Sequence, residues 1–219
     1  MRSLAAPHWP THAVHGMHLT DLKRGRDATG EMARVAAQCP SSTPCEHMKI
    51  FGIAGHSGMG KTTLLERLVP ELSSRNLVVS LIKHSHKNID IDRPGKDSYR
   101  LRESGCKEVL LLGNDRWALM HELRGADEPP LDYLLSRMQH CDLVLIEGFK
   151  HGAFPKLEVW RAELGKPTLW PDWPGIVAIA SDGPPAGVSQ ETTVPGIPRL
   201  DLSDVTAIAD LVMAQAVAH

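Results

Sequence analysis

The sequence predicts an α/β fold of three layers, with a mostly parallel central sheet and helices on both faces. Three observations predict it. A short apolar run, Lys49-Ile50-Phe51-Gly52-Ile53-Ala54, leads through a glycine-rich loop into a helical pattern beginning Thr63-Leu64-Leu65. Aliphatic runs recur at 78–82, 142–147 and 176–180, the kind that strands buried on both faces need. Helical spacing of apolar residues stands between and after them, and that alternation marks a parallel sheet.

The loop is Gly55-His56-Ser57-Gly58-Met59-Gly60-Lys61-Thr62, which matches G-x-x-x-x-G-K-[ST] at every fixed position. Backbone N–H groups must curl around a polyphosphate, so glycines at these positions permit close approach and unusual dihedrals. Lys61 brings a positive charge to the terminal phosphates and Thr62 offers a hydroxyl to magnesium. The helix that follows turns its positive end toward the anion. Gly55 through Thr62, with Thr63, are therefore the candidate nucleotide-binding residues, and strand, loop and helix together predict the P-loop NTPase fold.

The helix is expected over 61–74, with Leu64, Leu65, Leu68 and Leu72 inward and a kink at Pro70. A second parallel strand at 78–82 ends in a long loop, Lys83 to Arg100, on the side where open α/β sheets bind ligands. From Lys83 to Arg102 six lysines and arginines face three aspartates, which suits an anionic ligand. Asp90 and Asp92 are candidates for a magnesium shell. Asp97 stands where an N-cap opens a helix over 98–103 closed by Gly105, and His84 and His86 read as solvated loop residues or as site residues. A third apolar run at 109–112 and a short strand at 116–121 flank the turn Gly113-Asn114-Asp115, and a short helix follows over 131–139.

Asp142-Leu143-Val144-Leu145-Ile146-Glu147 is a strand with an acid at each end. In a parallel sheet the phosphate loop lies at the strands' C-terminal ends, and the two acids are roughly 16 Å apart at the usual rise per residue. Glu147 is therefore the candidate for magnesium or for positioning water, and Asp142 the solvated residue at the far end. Lys61 and Glu147 are the candidate catalytic residues; Thr62, Glu147 and Asp90 are the candidate metal ligands. Lys150 and His151 follow on the ligand side, residues 156–161 alternate as a strand, and 165–175 read as an irregular loop over which Trp170 and Trp173 pack, the weaker reading being that they stack a base. The strand at 176–180 ends in Ser181-Asp182, where a base-recognising acid has its place. An edge strand at 197–200 and a closing helix over 205–217 complete the domain, with Ile208, Leu211 and Val212 inward.

Composition narrows the function. Charged residues make up 23% and the net charge is −2, so the chain is not built to coat nucleic acid or an anionic membrane. No apolar run reaches the roughly 18 residues of a membrane span. Cys39, Cys45, Cys106 and Cys141 show no zinc spacing, and with a nucleotide site they favour the cytoplasm. Residues 1–47 lack periodicity and carry four prolines, so they read as a disordered or dispensable extension to a single domain over 48–219. Metal binding by His8, His12, His15 and His18 is the weaker reading of that stretch.

Over 48–219 the chain resembles the molybdopterin-guanine dinucleotide biosynthesis protein B family (MobB). The resemblance rests on the Gly55–Thr63 loop, on Lys83-His84-Ser85-His86 followed by Asp90-Ile91-Asp92-Arg93-Pro94-Gly95-Lys96-Asp97-Ser98-Tyr99-Arg100, and on Glu147-Gly148-Phe149-Lys150 leading into Pro155-Lys156-Leu157-Glu158-Val159. It implies GTP binding with Mg2+, a homodimer, and an accessory role with weak GTPase activity. The partner it implies is the molybdenum cofactor guanylyltransferase, which makes the guanine dinucleotide from molybdopterin or molybdenum cofactor. On this reading Arg93, Lys96 and Arg100 touch the pterin or the partner. No N-K-x-D motif occurs, so guanine preference comes from the resemblance alone. The other readings are a P-loop small-molecule kinase, with Asp90 or Asp92 as base for an acceptor hydroxyl, and a switch whose loop after Lys83 is ordered by γ-phosphate.

Overall fold

The structure, a computed structural model, describes residues 48–85, 89, 91–149, 151–183 and 196–219. The extension at 1–47, with its histidines and with Cys39 and Cys45, lies outside the described residues, as do His86, Asp90 and Lys150.

Six strands make one parallel path. They are β1 (Lys49–Ala54), β2 (Val79–Lys83), β5 (Leu143–Glu147), β6 (Lys156–Trp160), β7 (Ile176–Ser181) and β8 (Arg199–Asp201), in the order β2-β5-β1-β6-β7-β8. The phosphate-loop strand is thus central, with β5 on one side and β6 on the other. Side chains alternate across the sheet with period two. Phe51, Ile53, Leu143, Leu145, Leu157 and Val159 therefore pack on one face, under α1 (Lys61–Ser74) and α4 (Val205–Gln215). Ile50, Val144 and Ile146 pack on the other, with Leu135 of α3 (Leu131–Ser136) and with Phe154. Three layers with helices on both faces are what the sequence predicts.

Two local expectations change, the cap at Asp97 and the end of the closing helix; Pro70 lies inside α1. The Lys96 carbonyl accepts the first helical bond of α2 (Asp97–Glu103), from Arg100 N. Lys96 is therefore the cap, and Asp97 sits exposed in the first turn, where its charge complements the positive end of the helix dipole. The run after α2 and the strand following it, β3 (Glu108–Leu112) and β4 (Trp117–His121), form a separate antiparallel hairpin and do not join the central sheet. Finally, the closing helix ends at Gln215, and β9 (Val217–Ala218) pairs antiparallel with Lys49 and Ile50. That edge is open because β6 pairs with β1 only from Gly52 to Ala54.

The hairpin has an unusual surface. Leu110 faces Leu119 and Leu112 faces Trp117 in register, so these four share one face. They are 59%, 48%, 80% and 56% exposed, whereas Val109 and Met120 behind them are buried. An apolar face of this kind, left uncovered on a two-stranded sheet, is unusual for a folded chain.

Candidate functional site

The phosphate loop is held by the strand it leaves and by the segment after β6. Gly55 has φ +137, and a Cβ there would lie 2.5 Å from the Val159 carbonyl oxygen. Glycine is needed because β1 and β6 come this close where the loop departs. Met59 is fully buried beneath the loop; the Arg161 backbone N–H donates to its sulfur at 3.2 Å and Arg161 Nε to its carbonyl at 3.2 Å. Arg161 is held in turn by Asp182, 3.4 Å away. Over the loop, His56 Nε2 lies 3.1 Å from the Pro167 carbonyl and Lys166 donates to the Ser57 carbonyl at 3.4 Å.

Lys61, at the start of α1, folds back on the loop. Its ammonium donates to the carbonyls of Gly55 at 2.9 Å and His56 at 3.0 Å and lies 3.9 Å from Glu147 Oε1. Burial lowers its pKa most; the Glu147 charge raises it, and Lys83 and Lys166 lower it further. Glu147 ends β5, 7% exposed, where the β5–β1 register carries it next to the loop. Its Oε2 stands 3.3 Å from Lys83 Nζ, is buried, and accepts no hydrogen bond among the described residues. Asp142, at the opposite end of β5, is exposed and accepts from Val78 N at 2.7 Å.

A cavity of about 840 Å³ opens here, lined by the loop, residues 83–85 and 146–149, Lys156, Leu169 and Trp173. Thr62 and Thr63 are on its wall; Arg93, Lys96 and Arg100 are exposed and line no part of it. Asp92 is unavailable for a metal shell or a kinase base: its side chain is 4% exposed and binds the Arg102 guanidinium through both oxygens, at 3.1 and 3.4 Å. His84 is only partly exposed; its Nε2 lies 2.9 Å from Glu128 Oε2 and its ring 5.0 Å from that of Phe149. Ser181 is buried and accepts from Arg199 Nε at 2.7 Å, so of the pair at the end of β7 only Asp182 reaches the loop's support.

Beyond the loop, β6 carries two buried charges, of which Lys156 lines the cavity. The Lys156 ammonium donates to the carbonyls of Gly152, Phe154 and Pro174 and sits 4.4 Å from the Phe154 ring centre, and burial lowers its pKa. Glu158 is fully buried and accepts from Leu169 N at 2.6 Å and Trp170 N at 3.1 Å. Burial raises its pKa and those two hydrogen bonds pull it back. Each group replaces its lost hydration with backbone partners, and together they pin the segment that carries Trp170 and Trp173. Both tryptophans pack against Ala54, Leu169 and Ile176. These roles, like those of Lys83, Arg161 and Lys166, are not readable from local sequence. The one available signal is that Lys83 ends the strand preceding the long loop.

Comparison with known proteins agrees across sequence and structure. The family model described as molybdopterin guanine dinucleotide synthesis protein B matches residues 50–182. The molybdopterin-guanine dinucleotide biosynthesis adapter protein of Haemophilus influenzae is 42% identical over 166 residues, covering 74% of this chain and 86% of that one. The adapter protein of the same name from Escherichia coli is 39% identical over 167 residues, covering 75% and 91%. Among solved structures, Bacillus subtilis MobB superposes with a TM-score of 0.59 at 24% identity, over 77% of this chain and 98% of that one.

Proposed function

The chain belongs to the molybdopterin guanine dinucleotide synthesis protein B family, and from that premise we propose that it is a GTP-binding adapter. On this reading it serves the guanylyltransferase that joins the nucleotide to molybdopterin or molybdenum cofactor, and it hydrolyses GTP slowly. The observation that carries the nucleotide part is the convergence of Lys61 and Lys83 on the buried Glu147 at the mouth of a phosphate loop.

In the proposed complex the loop amides and Lys61 hold the β- and γ-phosphates. Lys61 exchanges its bonds to the Gly55 and His56 carbonyls for bonds to phosphate oxygen. The residues present fit Mg2+: the buried Glu147 Oε2 accepts no hydrogen bond among the described residues, and a hard cation takes such an oxygen together with the Thr62 hydroxyl. When bound, the ion offsets phosphate charge as hydrolysis proceeds. Glu147 has the further role of orienting water. Asp90, the third candidate ligand, lies outside the described residues. Arg93, Lys96 and Arg100, exposed and away from the cavity, are proposed as contacts for the pterin or the transferase. The compartment of the proposal is the cytoplasm, where thiols such as Cys106 and Cys141 stay reduced; both are free here, and no described helix is long and apolar enough to cross a membrane.

Calorimetric titration with GTP and ATP tests the reading. GTP is expected to bind more tightly than ATP; equal affinities remove the guanine part, and no binding of either removes the nucleotide part. In the same assay, Arg93→Ala with Lys96→Ala should leave GTP binding unaltered, and a fall would move that loop into the nucleotide site.

A homodimer belongs to the same proposal. The occupant we assign to the face formed by Leu110, Leu112, Trp117 and Leu119 is the same face of a second copy, since its apolar centre is self-complementary. Trp117→Glu puts a charge at that centre and should convert a dimer to a monomer by light scattering. A wild type that is already monomeric, or a variant that stays dimeric, would remove this interface.

A further inference from the structure

Lys83 stands where a divalent ion would have to compete with it. Its ammonium is 3.3 Å from Glu147 Oε2 and donates to Thr62 Oγ1 at 3.5 Å. These are the two oxygens assigned above to Mg2+. The placement is built into the sheet. β2 and β5 are parallel neighbours, and their register sets Lys83 directly beside Glu147, while Ile53 of β1 flanks Glu147 on the other side. Glu147 therefore sits between two lysines, Lys61 from beyond β1 and Lys83 from β2.

The two lysines are not equivalent. Lys61 is 14% exposed and tied by two hydrogen bonds to loop carbonyls. The Lys83 side chain is 51% exposed, on the edge strand of the sheet, and makes one long hydrogen bond among the described residues. A four-carbon arm with this freedom can swing. Its charge partner, at 9% side-chain exposure, cannot follow it into solvent. Without a cation beside it, the Glu147 carboxylate would be buried with no hydrogen bond on one oxygen, a costly arrangement.

We propose that Lys83 is a tethered counter-cation of the nucleotide site: it neutralises Glu147 while no divalent ion is bound, swings onto phosphate oxygens when nucleotide arrives without metal, and yields its place to the metal when metal comes. The inference rests on the nucleotide reading of the loop. It assigns the site a capacity to hold a triphosphate in the absence of Mg2+, at a position where most of the charge compensation is otherwise the ion's. The lysine and the ion are alternatives, because two cations cannot share one carboxylate oxygen and one hydroxyl without strong repulsion.

The test is calorimetric titration of GTP into the full chain, once in excess EDTA and once in saturating Mg2+, for wild type, Lys83→Met and Lys83→Arg. Wild type should bind in both. Lys83→Met should lose about ten- to a hundredfold in EDTA, the value of a charge-assisted contact, and markedly less in Mg2+. Lys83→Arg should recover most of the EDTA affinity, which separates lost charge from a damaged fold. A second readout uses Mn2+ alone: with the competing ammonium removed, Lys83→Met should bind the free ion more tightly than wild type. An equal loss of GTP affinity in the two buffers makes Lys83 a plain phosphate ligand and overturns the proposal. No loss in either, or weaker Mn2+ binding by the variant, also overturns it. A wild type that fails to bind GTP even with Mg2+ overturns the nucleotide reading itself, and this inference with it, so the two failures are distinguished by the wild type alone.

Discussion

Lys61→Ala is expected to weaken GTP binding by about 1.5–3 kcal/mol, roughly ten- to 150-fold, with and without Mg2+ alike. The reason is geometric. Lys61 follows the last glycine of the loop, and its ammonium already lies among the carbonyls of Gly55 and His56. An alanine has no atom to reach the phosphates. The fold should lose little, because burial disfavours the charged lysine and lowers its pKa. Removing that charge relieves a desolvation cost while giving up two hydrogen bonds to partly exposed carbonyls and the 3.9 Å contact with Glu147, which keeps Lys83 beside it. The variant should therefore melt within a few degrees of wild type while calorimetry records the affinity loss. An unchanged affinity would remove Lys61 from the site. A loss confined to EDTA would give Lys61 the part assigned to Lys83.

Gly55→Ala is expected to damage fold and site together. Its φ of +137 lies where a side chain is strained, and the new Cβ would meet the Val159 carbonyl oxygen at 2.5 Å. That obstacle is backbone, one residue past the last β1–β6 pair, and cannot rotate away. Strain of about 1–3 kcal/mol from the dihedral and a similar amount from overpacking add to a loss of roughly 2–6 kcal/mol. Urea unfolding should show a clearly lower midpoint, and GTP binding should be lost because the loop's first turn is displaced. Gly165→Ala is the matched control. It also has positive φ, at +57, but no atom lies within 4 Å of the added Cβ, so it should cost only about 1 kcal/mol. Equal stabilities for the two variants would show that the contact with β6 carries no weight.

Particular residues show how far the sequence could be read. β1, α1 and the loop between them follow from residues adjacent in the chain: an apolar run of five after Lys49, a glycine pattern, then Leu64, Leu65, Leu68 and Leu72 at helical spacing. Glu147 was separable from Asp142 because strand direction alone puts one acid at each end of β5. Asp92 was not readable as structural, since its partner Arg102 lies ten residues on, across the turn into α2. The hairpin was visible as two apolar runs around a turn, but nothing local said that it would stand apart from the central sheet. The buried Lys156 and Glu158 looked like ordinary alternation in a strand; only the carbonyls of Gly152, Phe154 and Pro174, and the amides of Leu169 and Trp170, make their burial tolerable.

By itself, then, the sequence determined the phosphate loop, the strand and helix on either side of it, the acid at the end of β5 and the layered α/β class. These depend on periodicities of two and 3.6 residues and on glycine dihedrals, which are properties of short stretches. The tertiary structure alone decided that Lys83, Glu147 and Lys61 meet, and that the segment after β6 closes over the loop through Arg161, Lys166 and Pro167. Those contacts depend on the order β2-β5-β1-β6, in which neighbouring strands are far apart in the chain. The free energy that selects this order comes from burying both faces of the sheet at once, and no short stretch of sequence contains it.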